Sequence, residues 1–271
     1  MTDAPATQTL SPAAGSHLTD DAFLGSALHI LQQRSGYRAG LDAVMLAATV
    51  PASDNRPQRV LDLGAGVGTA GLCVARRIET AEVVLLERDP QLATLAEENV
   101  RRNNLSHRVR VVTLSVGAPA AEVRAAGLIE ESFTHVIANP PYHDTGSGTL
   151  APDATKAAAH AMPDDELDSW ARFMARMAAP RGLATIVHKA DAMQRVLAAL
   201  DPRFGGIKIM PLYPRPGDNA HRVIVEGMKG SRAPLQLLSG LVLHSEGNDF
   251  TPTAQAILRA GASLPLPGAR R

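Results

Sequence analysis

Residues 59–68 read Arg-Val-Leu-Asp-Leu-Gly-Ala-Gly-Val-Gly, a short apolar strand-like run that enters a glycine-rich turn. Residues 69–78 follow with a helical pattern. Glycine lets the backbone adopt positive φ angles and approach a ligand closely, and the start of a helix offers unpaired N–H groups. A strand, a glycine turn and a helix in this order predict a Rossmann-type unit that binds a nucleotide or a phosphate group.

The next predicted strand, residues 82–87, ends in the carboxylate of Glu87. It lies about 20 residues after the turn, where an acid can bind ribose hydroxyls. The turn has an acid at its strand end and three alternating glycines, which differs from the Gly-x-Gly-x-x-Gly of dinucleotide sites and favours S-adenosylmethionine. We expect Asp62 to orient the turn and reach the methionine ammonium, Gly64 and Gly66 to admit the cofactor, and Glu87 to hold the ribose. The alternatives are a helix or turn cap for Asp62 and a solvated strand end for Glu87.

A second strand-like run, residues 133–138, leads into Asn139-Pro140-Pro141-Tyr142. The two prolines restrict the backbone on both sides of this elbow. The Asn139 side-chain carbonyl and the Pro140 backbone carbonyl can accept hydrogen bonds from the two N–H groups of a planar amino group. Tyr142 can stack on the plane of the target group. These interactions direct the nitrogen lone pair at an electrophilic methyl group. We therefore predict methylation of an amino nitrogen by Asn139, Pro140, Pro141 and Tyr142; the alternative is an ordinary strand-ending turn.

The glycine turn (62–68) and the elbow (139–142) together resemble the class I amino-methyltransferases. Within that group, the chain most resembles the bacterial tRNA (adenine-N6)-methyltransferase family that modifies the adenine beside the anticodon of a valine tRNA. Three further stretches carry the second resemblance, and they are residues 36–48, 221–225 and 241–251. The resemblance implies an α/β, Rossmann-like fold with a seven-stranded, mostly parallel sheet, helices on both faces and an antiparallel closing strand.

The resemblance also implies a set of cofactor-binding residues for S-adenosyl-L-methionine. Relatives usually have an acid at the end of the third strand, where this chain has Ser115, so its hydroxyl or the Val116 amide would contact the adenine. Arg38 and Asp42 would cover the methionine end of the cofactor. The complete predicted set is Arg38, Gly40, Asp42, Asp62, Gly64, Gly66, Gly68, Glu87, Arg88, Ser115, Val116 and Asn139.

Composition sets the broad class of protein. With 271 residues and 45% hydrophobic side chains, the chain can bury a full α/β core. We expect an unstructured tail at 1–20, an amino-terminal cap segment at 21–56 and a methyltransferase domain at 57–271. A single cysteine permits no intramolecular disulfide, and no apolar run or signal peptide is present, so a cytoplasmic protein is expected. No zinc spacing occurs, so no metal is predicted.

Equal numbers of basic and acidic residues, 27 each, mean that any RNA-binding surface must be a local patch. The candidate groups are Arg101, Arg102, Arg108 and Arg110; Arg34 and Arg38; and Arg215 with His221 and Arg222. The polar segment 143–161 is either a lid over the substrate or an ordinary surface excursion.

Three other functions stay open at the level of sequence. The elbow would serve equally for N5-methylation of a glutamine side chain in a translation release factor, because that amide nitrogen is also planar. Relatives of that type carry a larger helical domain before the first strand. Guanine-N2 methylation of ribosomal RNA and a cofactor-binding adaptor without activity are the remaining alternatives.

Overall fold

The computed structural model describes residues 17–36, 38–52, 57–141, 164–245, 247–264 and 266. In these ranges strands and helices alternate through the middle of the chain. The strands are β1 (Leu18–Phe23), β2 (Leu28–Gln33), β3 (Gln58–Leu63), β4 (Ala81–Glu87), β5 (Val109–Thr113), β6 (Phe133–Ala138), β7 (Ala178–Lys189), β8 (Phe204–Tyr213), β9 (Arg222–Lys229), β10 (Gln236–Leu237) and β11 (Leu241–Val242). The helices are α1 (Leu41–Ala48), α2 (Thr69–Arg77), α3 (Pro90–Arg102), α4 (Ala120–Ala125), α5 (Asp164–Met177), α6 (Met193–Leu200) and α7 (Pro252–Ala260).

The main sheet of the described residues has the order β5-β4-β3-β6-β7-β9-β8, with β10 and β11 both paired to β8. Strands β3 to β7 are parallel, and β9 runs antiparallel to both β7 and β8. The predicted mostly parallel sheet with an antiparallel closing strand is therefore confirmed. The sheet has nine strands where seven were predicted, because β10 and β11 add two-residue pairings that are too short to show a sequence period.

Both faces of the sheet are buried, and successive residues of each central strand point to opposite faces. Val60 and Leu85 pack on one face with α1, α2, α3 and α7. Leu61 and Leu86 pack on the other face with α4, α5 and α6. The two apolar layers hold the strand tips in fixed positions, and these tips carry the predicted site.

Local signals in the sequence set several element ends. Asp89 is the N-cap of α3, where its carboxylate accepts hydrogen bonds from the amides of Gln91 (2.8 Å) and Leu92 (3.3 Å). Strand β7 begins at Ala178, which pairs with Phe133, whereas Leu183 pairs with His135. A register shift between these two pairs accommodates the extra residues of β7.

The hairpin β1–β2 was not predicted, and it docks on helix α3 through two asparagines. The Asn99 amide binds the N–H (2.8 Å) and the carbonyl (3.0 Å) of Leu31, and Asn103 binds the N–H (3.0 Å) and carbonyl (2.8 Å) of His29. Asn99 also donates to the carbonyl of Val67, in the glycine turn, at 3.0 Å. Two side chains one helical turn apart therefore pair with alternate residues of β2, in the manner of a neighbouring strand.

The hairpin also changes the expected boundary of the amino-terminal tail. Strand β1 begins at Leu18, so ordered structure starts before the predicted boundary at residue 21. Asp20, on this strand, forms an ion pair with the guanidinium of Arg102 at 2.5 Å. Residues 1–16 lie outside the described part of the chain.

Candidate active site

The predicted cofactor turn and the elbow lie at adjacent strand tips. β3 pairs with β6 on one side, with Leu63 opposite Ala138, and with β4 on the other, with Leu63 opposite Leu86. The residues that follow these positions are Gly64, Asn139 and Glu87, so the three meet at the carboxyl edge of the sheet. Ligands of open α/β sheets bind at this edge.

The first two glycines of the turn have different surroundings. A Cβ added to Gly64, whose φ is +62°, would lie 2.4 Å from the Cη2 atom of Trp170. A Cβ on Gly66, whose φ is +57°, would meet no atom of the described residues within 4 Å. Among those residues Gly66 therefore leaves space where a ligand can approach, whereas Gly64 is covered by an indole ring. Gly68 is the N-cap of α2.

Glu87 is buried and holds the turn. Its Oε2 atom accepts a hydrogen bond from the Gly66 amide at 2.7 Å, and its Oε1 atom accepts one from the Asp89 amide at 2.9 Å. The side chain is thus not a solvated strand end. A carboxylate has about four acceptor positions, so two amides leave capacity for hydroxyl groups. The role of Glu87 in ribose binding stays a prediction.

Asp62 is buried and caps helix α2. Its Oδ2 atom accepts a hydrogen bond from the amide of Gly71, in the first turn of the helix, at 2.8 Å. Burial raises the pKa of the Asp62 carboxyl to about 7, the Gly71 hydrogen bond lowers it, and the charge of Glu87 raises it further. The structure therefore shows the capping alternative, and contact with a methionine ammonium stays a prediction.

The predicted residues of the amino-terminal segment lie in two places. Gly40 is the N-cap of α1, and Asp42 in its first turn binds the Nε atom of Arg222 at 2.9 Å. Since Arg222 begins β9, this ion pair places Asp42 at the carboxyl edge of β7. The Arg38 guanidinium binds Asp21 on β1 at 2.5 Å, which directs it towards the hairpin.

The predicted adenine-side residues follow β4 and β5. Arg88 is exposed, and its Nη1 atom lies 4.0 Å from a carboxylate oxygen of Glu166 on α5. Ser115 is exposed, and its hydroxyl accepts a hydrogen bond from the Gly117 amide at 3.3 Å. Val116 is half-buried against the apolar layer beneath α4 and α5. Because Glu87 ends β4 beside β5, these residues flank the same edge of the sheet.

The elbow is described as far as Pro141. Asn139 is half-buried, Pro140 is buried and Pro141 is half-buried. Tyr142 and the predicted lid at 143–161 lie outside the described residues, so stacking by Tyr142 stays a prediction.

A polar cavity of about 320 Å³ lies two strands away from the turn. It is lined by Lys189, Asp191, His221 and Arg222 together with two alanines. Lys189 ends β7, the strand beside β6, and pairs with Arg222 on β9. The sequence reasoning selected His221 and Arg222 but missed Lys189, although its place at the end of a strand beside the elbow was a signal.

The basic groups selected from sequence all include side chains with structural contacts. Arg102 is buried against Asp20, and Arg110 donates to the carbonyls of Ala126 (3.2 Å) and Gly127 (2.9 Å). Arg222, which pairs with Asp42, differs from them in its position, because it lies opposite Lys189 at the end of the strand beside β6.

The described residues include neither a metal-binding cluster nor a membrane-spanning helix. In the ranges from 17 to 266 that the structure covers, no cluster of three or more His, Cys, Asp and Glu side chains could bind a metal ion. None of the helices in those ranges has the length and apolar character needed to span a bilayer.

Comparison with protein families agrees with this geometry. Residues 39–165 match the model of the methyltransferase small domain. A tRNA1(Val) (adenine(37)-N6)-methyltransferase from Erwinia tasmaniensis is 33% identical over 141 residues, which cover 52% of this chain and 54% of the relative. A protein of the same name from Salmonella arizonae is 31% identical over 147 residues, or 53% and 56% of the two chains. The chain thus spans about half the length of the curated relatives it matches.

Solved structures extend the comparison to most of the chain. A predicted O-methyltransferase, Atu636 from Agrobacterium tumefaciens, superposes with a TM-score of 0.69 and 32% identity, over 83% of this chain and 98% of that one. An S-adenosylmethionine-dependent O-methyltransferase from Thermotoga maritima has a TM-score of 0.50 and 18% identity over 73% and 68% of the two chains, and it shares the fold.

The strand order and the glycine turn at the carboxyl edge are those of the class I methyltransferase fold. The chain belongs to the S-adenosylmethionine-dependent methyltransferases, and within it residues 39–165 match the methyltransferase small domain.

The residues present fit this cofactor. Gly66 leaves open space above the turn, where a bulkier residue would stand in the path of a ligand. Glu87 is a buried acceptor at the adjacent tip, suited to hydroxyl groups. Together they offer a close approach and a fixed acceptor, as a nucleoside with a free ribose requires.

Proposed function

We propose that this protein methylates an exocyclic amino group, and that the acceptor is N6 of an adenine in tRNA near the anticodon. The observation that carries the proposal is the pairing of β3 with β6, which sets Gly64 directly beside Asn139. An amide that binds an amino nitrogen is thereby adjacent to the turn of the cofactor site. The names of the relatives from Erwinia and Salmonella support adenine N6 in a valine tRNA.

The elbow contributes hydrogen-bond acceptors. S-adenosylmethionine, when bound, supplies an electrophilic methyl group. The lone pair of an adenine amino group is delocalised into the ring, so it is a weak nucleophile. The Asn139 side-chain carbonyl and the Pro140 backbone carbonyl accept hydrogen bonds from its two N–H groups. These bonds favour a pyramidal nitrogen whose lone pair points away from the two carbonyls. The rigid Pro140-Pro141 backbone keeps both acceptors oriented before the substrate arrives.

The surface beside the elbow supports a nucleic-acid acceptor. Lys189, His221 and Arg222 surround the cavity at the tips of β7 and β9. Cationic side chains at this position can contact phosphates on either side of a nucleotide that has left its stack. The bases of an anticodon loop are already partly unstacked, so extrusion of one of them costs little. The net charge of zero means that this contribution is local.

A glutamine side chain is the second candidate acceptor, because its planar amide nitrogen suits the same elbow. The match to a predicted O-methyltransferase raises a hydroxyl oxygen as a third candidate acceptor. The elbow has two carbonyl acceptors, one from Asn139 and one from Pro140, which match the two N–H groups of an amino nitrogen. A hydroxyl offers one donor, and the elbow therefore favours nitrogen.

The test is transfer of a labelled methyl group from S-adenosylmethionine to total tRNA, to a release factor and to ribosomal RNA, in parallel. We expect label in tRNA, recovered as N6-methyladenosine after digestion. Asn139→Ala should lower transfer by roughly 100-fold or more, the cost typical of a lost hydrogen-bonding group at a reacting centre. The affinity for S-adenosylhomocysteine, measured by calorimetry, should fall much less, by no more than about 10-fold, because the other predicted cofactor contacts stay in place.

Two outcomes would contradict the proposal at different levels. Label in the release factor alone would replace the substrate but keep the chemistry of the elbow. Undiminished turnover by Asn139→Ala would overturn the role of the elbow itself.

A further inference from the structure

Trp170 on helix α5 is the only tryptophan of the chain, and it packs against the first glycine of the cofactor turn. Three of its ring carbons lie 2.4, 3.2 and 3.4 Å from the place that a Cβ of residue 64 would occupy. The indole is 6% exposed and belongs to the apolar layer on the α5 face of the sheet. It therefore forms a solid support on one side of the turn.

The same helix contacts the neighbouring strand tip. Glu166, four residues before Trp170 and so on the same face of α5, approaches Arg88 at 4.0 Å. Arg88 directly follows Glu87, which accepts the hydrogen bond of the Gly66 amide. Helix α5 thus borders the tip of β3 through its indole and the tip of β4 through its carboxylate.

Two hydrogen bonds join the start of the turn to the tip of β4. The amide of Ala65 donates to the carbonyl of Leu86 at 3.0 Å, and the amide of Gly66 donates to Glu87 at 2.7 Å. A shift of Gly64 towards an emptied indole site would lengthen both bonds, because the three residues are consecutive. The open space above Gly66 would then move relative to the Glu87 carboxylate.

We propose that Trp170 is a positioning residue for the cofactor: its indole fixes Gly64, and thereby the turn and the Glu87 acceptor, in the geometry that binds S-adenosylmethionine. The glycine at position 64 is then required by the indole as well as by its positive φ. The proposal rests on S-adenosylmethionine as the cofactor and is independent of which molecule accepts the methyl group.

The first test compares two core variants of the same helix. Trp170→Leu removes the support of Gly64, and Phe173→Leu is the matched control. Phe173 is similarly buried in the same apolar layer, but the three atoms nearest to the Cβ position of Gly64 all belong to Trp170. We expect Trp170→Leu to raise the Kd for S-adenosylhomocysteine by about 10-fold and Phe173→Leu by less than about twofold, at a similar loss of thermal stability. Equal changes in Kd would overturn the proposal, because both would then report general loosening of the core.

The second test is a double-mutant cycle with Gly64→Ala. In the wild-type background this change sets a methyl group against the indole, and in the Trp170→Leu background the ring is gone. The fold-increase in Kd caused by Gly64→Ala should therefore be at least about threefold smaller in the Trp170→Leu background. Equal fold-increases in the two backgrounds would show that the ring and the turn act independently.

The third test needs only the wild-type protein, so it holds even where a variant fails to fold. Trp170 is the sole source of tryptophan fluorescence, and its ring touches the turn. Titration with S-adenosylhomocysteine should change the emission intensity or wavelength in a saturable manner. The Kd fitted to this change should agree with the Kd found by calorimetry. Emission that stays constant through saturation would overturn the proposal.

Discussion

The carboxyl group of Asp62 combines complete burial with a single capping hydrogen bond to Gly71. Its pKa is raised to about 7, mainly by burial, so the folded protein retains a proton that the unfolded chain releases near pH 4. The stabilising contribution of this group is fully present below pH 4. This contribution is lost progressively as the pH rises to about 7. Above that pH the group causes no further change in the free energy of unfolding.

Asp62→Asn should remove this pH dependence while keeping the cap, because the amide oxygen of Asn can still accept the Gly71 hydrogen bond. The difference in free energy of unfolding between wild type and variant should change by roughly 4 kcal/mol from pH 4 to pH 7.5, with the variant favoured at the higher pH. Urea unfolding at several pH values measures it. A difference that is constant with pH would show that Asp62 is ionised in the folded protein throughout.

The sequence predicted the position of the candidate site better than the contacts that support it. Asp62, Gly66, Glu87 and Asn139 lie at neighbouring strand tips, as a strand pattern followed by a turn predicts. The contact between Gly64 and Trp170 joins residues far apart in the chain, and no local period encodes such a contact. The capping role of Asp62 was open at the level of sequence, because an acid at that position suits a helix cap and a ligand equally.

Among the elements, helix α3 is docked through buried polar side chains. Asn99 is fully buried and makes three hydrogen bonds, two to Leu31 and one to Val67. The hairpin that it holds was absent from the prediction, since β1 and β2 lack a clean alternation of polar and apolar residues. Strands β3, β4 and β6 were predicted well because they are apolar on both faces and lead into a glycine turn, an acid and the Asn-Pro elbow.

Asn99→Ala should leave the N–H and carbonyl of Leu31 and the carbonyl of Val67 without partners. Loss of three buried hydrogen bonds should cost about 3 kcal/mol of stability. Urea unfolding measures the cost, and hydrogen exchange should show faster exchange of the Leu31 amide. Glu97→Ala, at an exposed position of the same helix, is the control and should change stability by less than about 0.5 kcal/mol. Equal effects of the two changes would refute the docking role.

At the scale of the whole molecule, Arg77 joins regions that are far apart in the chain. Its Nη1 atom donates to the carbonyl of Ala47 (2.6 Å) at the end of α1, its Nε atom to that of Gly261 (2.8 Å) after α7, and its Nη2 atom to the Ser263 hydroxyl (2.8 Å). Helix ends leave carbonyls unpaired, and one planar guanidinium satisfies carbonyls from two of them. The contact holds the first and last helices of the described chain against α2.

Arg77→Met keeps the apolar stem but removes all of these bonds. We expect a loss of roughly 2–4 kcal/mol in the free energy of unfolding, with the methyltransferase site itself unaltered. Arg76→Met is the matched control, because the neighbouring Arg76 makes a hydrogen bond to one carbonyl, that of Asn103. Thermal and urea unfolding of both variants distinguish them. A loss for Arg77→Met no larger than that for Arg76→Met would contradict the assignment.

The side-chain amides of Asn99 and Asn103 occupy the edge of β2 that faces away from β1. An open strand edge is a template on which a second polypeptide can assemble, and it favours aggregation or exchange of segments between molecules. By filling that edge with groups from its own helix, the protein protects a small two-stranded hairpin from intermolecular pairing. A chain that lost both asparagines would thus be exposed to self-association as well as to weaker folding.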